Sequence, residues 1–264
     1  LLDRKNKEYA SYSYPTHIGI DEHRLSRKIG FCTTLCDLSG RRVLDIFKGR
    51  SGSTLIHQLK KIPGRDNVRM VAMDLSDTYR SIAIQVFPNA VRVADRFHVV
   101  RLINHHFLKA WQIQHPEGRK NRGLLSLMRR HQWRLNKDNR ANLDRYLANY
   151  PVLRALYITK QKLIRFVLMK TMNQNRMEKK LPQFLELLAQ LHQSPLNALG
   201  KTLASWLQPI VAMWRFTRNN GITEGFHNKM EMISRRAYGF RNFENYRLRV
   251  MTHCGWDGVI NRVR

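Results

Sequence analysis

The chain has 264 residues, with 47 Lys+Arg against 19 Asp+Glu and a formal net charge of +28 at pH 7. Its 43% apolar and 25% charged residues are a globular composition, long enough for a sizeable core, which excludes a disordered or collagenous chain; no apolar run nears the ~20 residues of a bilayer span. Three cysteines without metal-finger spacing argue against a secreted disulfide scaffold, and the charge excess calls for a polyanion, nucleic acid ahead of anionic membrane.

The chain opens Leu1-Leu2-Asp3 without a Met and without a basic-then-apolar leader, as a piece of a longer protein would. Residues 1–16, polar and broken by Pro15, read as a connector. A short apolar strand at 17–20 ends in Asp21, and residues 29–38 (IGFCTTLCDL) form a second strand. Ser39-Gly40 turns the chain into a third, 42–47, whose residues alternate with period two. Helical spacing over 53–62 stops at Pro63-Gly64. Residues 68–73 (VRMVAM) form a strand ending in Asp74, and Ser76 caps a helix running to Phe87 before Pro88. A last short strand, 90–94, ends in Asp95.

The order β-β-β-α-β-α-β, an antiparallel trio followed by parallel crossovers, predicts an α/β fold with the mixed sheet of the ribonuclease-H-like layout over 17–95. From 96 to 216 the strand signal disappears. Segments 97–114, 124–133, 142–169, 180–193 and 196–216 carry helical spacing, and 96–145 alone hold 12 Lys+Arg against 3 acids. This predicts a basic all-α insertion. The final part of the core, 217–264, then contributes a helix at 222–235 and a basic tail.

In so basic a chain, an acid at an expensive position is informative. Asp is disfavoured in buried strands, so Asp21 and Asp74 at strand ends either cap the next turn or face a ligand crevice. The layout places the first strand beside the fourth, which brings the two carboxylates together, and a cation between them resolves the repulsion. Oxygen-only ligands select Mg²⁺ or Mn²⁺. Glu224, opening the last helix with Asn228 and Glu231 on its stripe, is either the third ligand or an ordinary first-turn acid.

The stretches IGIDE, KGRSGSTLIHQL, VAMDLSDTYRSIAIQVFPNAVRVADRFHVVRL and NNGITEGFHNKMEMISRRAYGFRNFENYRLRV resemble the insertion-sequence transposases of the ISL3 type, in the DDE superfamily. The resemblance covers roughly 17–110 and 214–252. It implies a catalytic triad of Asp21, Asp74 and Glu224 holding two metal ions, Asp21 bridging them. It further implies metal-dependent cleavage at transposon ends, joining of the freed 3′-hydroxyl to target DNA, multimers assembled on DNA, and a bacterial cytoplasmic setting at the nucleoid. The family's amino-terminal zinc-binding and helix-turn-helix parts have no counterpart in this chain.

Asp95 is an accessory ligand or, more simply, a helix cap paired with Arg96, and Asn228 is a further accessory candidate. Asp77 reads as a first-turn helix acid. His98 and His227 read as packed histidines, and Trp111, Trp133, Trp206 and Trp214 as core. Arg235, Arg236 and Arg241, following the Glu224 helix, are the expected phosphate-holding residues near the site. The rings of Tyr238 and Phe240 between them either stack on a flipped base or, more simply, pack in the core. The GRSG stretch at 49–52 lacks the phosphate-loop lysine, which argues against a nucleoside triphosphate. Two other functions use the same residues: a ribonuclease-H-like nuclease or resolvase without strand transfer, and a non-catalytic DNA-binding protein derived from a transposase.

Overall fold

The computed structural model describes residues 13–26, 29–169, 171–216 and 221–255. The chain divides into two compact units: one holds residues up to Asp95 and from Phe216 onward, and the other is Arg96–Arg215.

The first unit is built on five strands: β1 His17–Ser26, β2 Gly30–Asp37, β3 Arg42–Lys48, β4 Met70–Met73 and β5 Val91–Ala94. Their order across the sheet is β3-β2-β1-β4-β5. The β1–β2 and β2–β3 pairs are antiparallel, β1–β4 and β4–β5 parallel. This is the α/β, ribonuclease-H-like mixed sheet. The β2–β3 turn is written into its residues: Asp37 Oδ1 accepts from the N–H groups of Ser39 and Gly40, at 2.8 Å each. A Cβ on Gly40 would stand 2.5 Å from Asp37 Oδ2, so a larger residue there would displace the carboxylate that caps the turn.

Helices α1 (Gly52–Lys60) and α2 (Asp77–Val86) follow β3 and β4. The apolar residues Leu55, Leu59, Tyr79, Ile82, Ala83 and Val86 are their buried stripes. Tyr79 reaches the sheet, its hydroxyl 3.0 Å from Thr33 Oγ1.

The second unit is helical throughout. Its elements are α3 Arg96–Gln114, α4 Pro116–Lys120, α5 Arg122–Arg129, α6 Lys137–Ala148, α7 Pro151–Leu168, α8 Gln174–Gln190, α9 Ser194–Ser205 and α10 Leu207–Val211. The long α3 buries Val99, Ile103, Phe107, Ala110 and Trp111 at helical spacing and packs against α7 and α9. The expected helix over 142–169 is two helices. Pro151 has no N–H to continue α6 but suits the first turn of α7, so the chain breaks at Asn149-Tyr150.

Two core expectations fail here. Trp111 and Trp206 are buried, but Trp133 is 50% exposed on a 3₁₀ turn, Gln132–Arg134. Tyr238 is fully exposed where the chain turns at positive φ, whereas Phe240 packs edge-on against Tyr246 at 5.3 Å. No helix among the described residues is long and apolar enough to cross a membrane.

Returning to the sheet unit, α11 (Gly221–Arg236) packs against β1, and α12 (Phe243–Val250) against β3.

Candidate active site

The parallel register places the aspartates. β1 pairs with β4 from His17↔Met70 to Ile20↔Met73, and β4 with β5 from Met70↔Val91 to Met73↔Ala94. The next residue on each chain segment is Asp21, Asp74 and Asp95, at the carboxyl ends of the parallel ladders, where open α/β sheets bind ligands. Asp21 does not end its strand as the sequence suggested. Its strand continues to Ser26 in antiparallel pairing with β2; only the parallel ladder stops at Ile20. A carboxylate in mid-strand gains nothing as a cap, which weakens the structural explanation for Asp21.

Asp21 is 6% and Asp95 5% exposed. Burial pushes the Asp21 carboxyl up to about 7; the Glu22 N–H, donating to Oδ1 at 2.8 Å, opposes this, and the charges of Asp74, Asp95 and Glu22 add to the rise. Crowded carboxylates of this kind are relieved by a cation, and aspartate oxygens suit a hard one. Among the described residues no group of three or more His, Cys, Asp or Glu forms a ready-made cage. Asp21 and Asp74 nonetheless fit Mg²⁺ or Mn²⁺ by donor chemistry. The side chain of the third expected ligand, Glu224, lies outside the described residues.

The backbone of Glu224 belongs to α11, and the residues around it are pinned. Thr223, fully buried, hydrogen-bonds to Cys36 on β2. His227 stands with Nε2 3.1 Å from Thr34 Oγ1, also on β2, and with Nδ1 3.8 Å from Asp21 Oδ2. Cys36 and Thr34 share one face of β2 by the two-residue period, and Thr34 is the register partner of Asp21. Glu224 is therefore placed one turn before His227 on a helix fixed at both flanking residues beside β1.

The contacts continue inward. His23 Nδ1 lies 2.9 Å from Thr34 Oγ1 and its Nε2 2.8 Å from the Tyr246 hydroxyl, with the His23 and His227 rings 5.0 Å apart. Burial, then the neighbouring His227, pulls His23 down to about 3. A neutral imidazole between two hydroxyls closes a chain from Asp21 through His227, Thr34 and His23 to Tyr246, joining β1, β2, α11 and α12.

Residues 18–250 match the family model described as Transposase, of the ISL3 DDE type. The chain belongs to the ISL3-type DDE transposase family. It is also 29% identical over 247 residues to the transposase for insertion sequence element IS1001 of Bordetella parapertussis, an alignment covering 89% of this chain. The chain spans 60% of that relative's length.

The basic residues expected near the site of this family member divide. Arg235 is held by Glu231 one turn earlier, Nη2 to Oε1 at 2.6 Å. Arg236 lines a groove of about 550 Å³ with Asn228, Lys229, Met232, Arg249 and His253. Arg241 is exposed in the turn before α12. Asn228 is thus on the groove wall, and it is His227, packed against Thr34 and His23, that stands beside Asp21. His98 is half-buried against Phe97, ring centroids 5.5 Å apart. Asp77 pairs with Arg80 at 3.7 Å, as a first-turn acid does.

Sequence reasoning passed over Thr34, His23, Tyr246 and Thr223. One signal was available: His23 follows Asp21 by two residues in a strand, so both point to the same face. The Thr34 and Tyr246 contacts join positions 11 and 223 residues from His23, and no local pattern encodes them.

Proposed function

We propose that this chain is the catalytic part of a DNA transposase that cleaves phosphodiester bonds at transposon ends and joins the freed 3′-hydroxyl to target DNA. The observation carrying this reading is the level placement of Asp21 and Asp74 at the end of the β1–β4 parallel ladder, beside the helix that bears Glu224. Family membership supports it, and so does the relative named for an insertion sequence element.

In this mechanism Asp21, Asp74 and Glu224 would hold two Mg²⁺ or Mn²⁺ ions, with Asp95 as an accessory acid. Bound metal supplies Lewis acidity at the scissile phosphate and eases ionisation of the attacking water or 3′-hydroxyl. The residues of the chain supply position. His227, held to β2 through Thr34, stands 3.8 Å from the Asp21 carboxylate and sets the distance of α11 from it. The groove cations Lys229, Arg236 and Arg249, together with Arg241, hold phosphates next to the carboxylates, and Arg235 joins them when its Glu231 pair opens. The protein acts as a homo-oligomer on paired DNA ends at the bacterial nucleoid, uses no nucleoside triphosphate and has no membrane partner.

The test is a full-length transposase with labelled transposon-end DNA and Mg²⁺ or Mn²⁺. Nicked and joined products are expected, both lost in Asp21→Asn and Asp74→Asn with DNA binding kept. Cut but never joined strands would favour a nuclease or resolvase. Undiminished cleavage in either variant removes the site assignment, and absence of any metal-dependent cleavage leaves a non-catalytic DNA-binding protein.

A further inference from the structure

The helical unit exposes a tryptophan in a setting that calls for a ligand. Trp133 is 50% exposed, with one face covered by His131, ring centroids 4.7 Å apart and planes within 3° of parallel. The 3₁₀ turn carrying it, and the end of α5 just before it, are held to α7 by two adjacent buried polar residues. Lys160 Nζ donates to the carbonyl of Met128. Gln161 Oε1 accepts the Gln132 N–H at 3.1 Å, and its Nε2 donates to the Arg130 carbonyl at 3.0 Å. Lys160 is 2% and Gln161 5% exposed. Burying a lysine and a glutamine is costly, and here the lysine holds the end of α5 while the glutamine fixes the surface turn that follows it. The turn's exposed ring is thereby rigid, which lowers the entropy lost on binding.

Beside the ring runs a groove of about 380 Å³, lined by Trp133, Ile158, Arg140, Lys162 and Arg165 with the two glutamines. Ile158, Lys162 and Arg165 form one stripe of α7 at helical spacing, and Ile158 is itself 42% exposed. No acid is among the described residues that line the groove; Arg140 pairs with Asp144 outside it, Nε to Oδ2 at 3.8 Å, both side chains more than half exposed. The unit around it carries 22 Lys+Arg against 5 Asp+Glu. An aromatic face and an aliphatic floor rimmed by cations suit a polymer of flat rings linked by anions, and the volume suits about one nucleotide.

We propose that this groove binds unpaired DNA, one base stacking on the free face of Trp133 and flanking phosphates meeting Arg140, Lys162 and Arg165. The site belongs wholly to the helical unit and is distinct from the aspartates of the sheet unit. It rests on the preceding reading only for the choice of DNA as the polymer. Duplex DNA keeps its bases stacked internally and gains only the phosphate contacts.

The test is fluorescence anisotropy of a labelled single strand of ~12 nucleotides, and of its duplex, with the full chain in chelator, so that cleavage plays no part. Trp133→Ala is expected to weaken single-strand binding about tenfold and duplex binding far less, while Trp133→Phe retains most of the affinity. The double variant Lys162→Ala/Arg165→Ala is expected to weaken both and to reduce the salt slope for the single strand by about 1.4. Because Trp133 is at the surface, thermal melts of these variants should match the parent. The proposal is overturned if Trp133→Ala binds the single strand within twofold of the parent. It is equally overturned if that variant instead abolishes self-association in sedimentation with strand affinity unchanged, which would make the groove an interface between copies. Failure of the cleavage reading in Mg²⁺ leaves this measurement untouched.

Discussion

The two units bury opposite charges. Among the described residues, the buried Asp, Glu, Lys and Arg side chains of the sheet unit are the acids Asp21, Asp37, Asp45 and Asp95, while those of the helical unit are the bases Arg96 and Lys160. Each structural member of this set has its compensation in view. Asp37 accepts the N–H groups of its turn, and Asp45 takes a two-pronged bond from Arg247, Nε to Oδ1 at 2.6 Å and Nη2 to Oδ2 at 2.8 Å. Arg96 donates to the Met213 carbonyl and lies 5.3 Å from the Trp214 ring; Lys160 donates to the Met128 carbonyl. Asp21 differs in kind: its neighbours Asp74 and Asp95 repel it. On the proposed reading, what separates a functional buried charge from a structural one is the sign of the charges around it, and this can be tested residue by residue.

The largest effect is expected at Asp21. Asp21→Asn removes a ligand oxygen and should lower metal-dependent cleavage by about a thousandfold or more. The same substitution removes a buried carboxylate from beside two others, buried Asp95 and half-buried Asp74. In metal-free buffer near neutral pH it should therefore raise the melting free energy by about 1–3 kcal/mol. A variant that is catalytically dead and more stable would sharpen the contrast; one that loses both stability and activity would place Asp21 among the structural carboxylates. Calorimetry with chelator, beside a cleavage assay, reads both.

Arg247→Ala is next in size and is expected to do the reverse of Asp21→Asn. It leaves the Asp45 carboxylate buried without its guanidinium and detaches α12 from β3. Because Arg247 is about one-third exposed, the loss is discounted to roughly 2 kcal/mol. A chemical melt should show it, with Arg247→Lys recovering part, since one ammonium cannot reproduce the two-pronged geometry.

The sheet was legible in the sequence because its strands are short apolar runs separated by clear breaks, the Ser39-Gly40 turn between two strands and Pro63-Gly64 after the helix that follows the third, and because order alone set the parallel neighbours. Asp21 and Asp74 were legible as polar residues where apolar ones belonged. Trp133 was not legible, since its spacing in 124–133 is that of a core residue; its exposure comes from the chain leaving the helix at Arg129 and turning at Gln132. Nor was the Asp45–Arg247 bond, which links residues 202 apart. Pairings of that length are set by packing after the elements form, and neither partner carries a local signature.

In the helical unit the comparison can be broken by pH. Burial drops the Lys160 amine from its usual 10.5 to about 7. Between those values the unfolded chain binds the proton and the folded one does not, so folding stability is fully present above pH 10.5 and is lost as pH falls toward 7. The slope is about 1 kcal/mol per pH unit. Melts between pH 7.5 and 9.5 should show stability rising with pH in the parent and a flatter profile in Lys160→Met, which keeps the volume without the charge. Parallel profiles for the two would mean that Lys160 remains charged in the fold.

The smallest expected effect is also the most local. Thr33 and Thr34 are adjacent on β2 and face opposite sides of the sheet. The Thr33 hydroxyl meets Tyr79 and donates to the Gly49 carbonyl at 2.9 Å; the Thr34 hydroxyl bridges His23 and His227. Each valine substitution removes a buried hydroxyl from two polar partners and should cost about 1–2 kcal/mol in a melt, with little to choose between them. Cleavage should separate them. Thr33→Val acts on the side covered by α2 and should leave the rate within about twofold, whereas Thr34→Val frees His227 from β2 and should lower it by about tenfold, as loosened positioning does. Equal rates in the two variants would mean that the chain from Asp21 to Tyr246 holds the fold together without setting the geometry of the carboxylates.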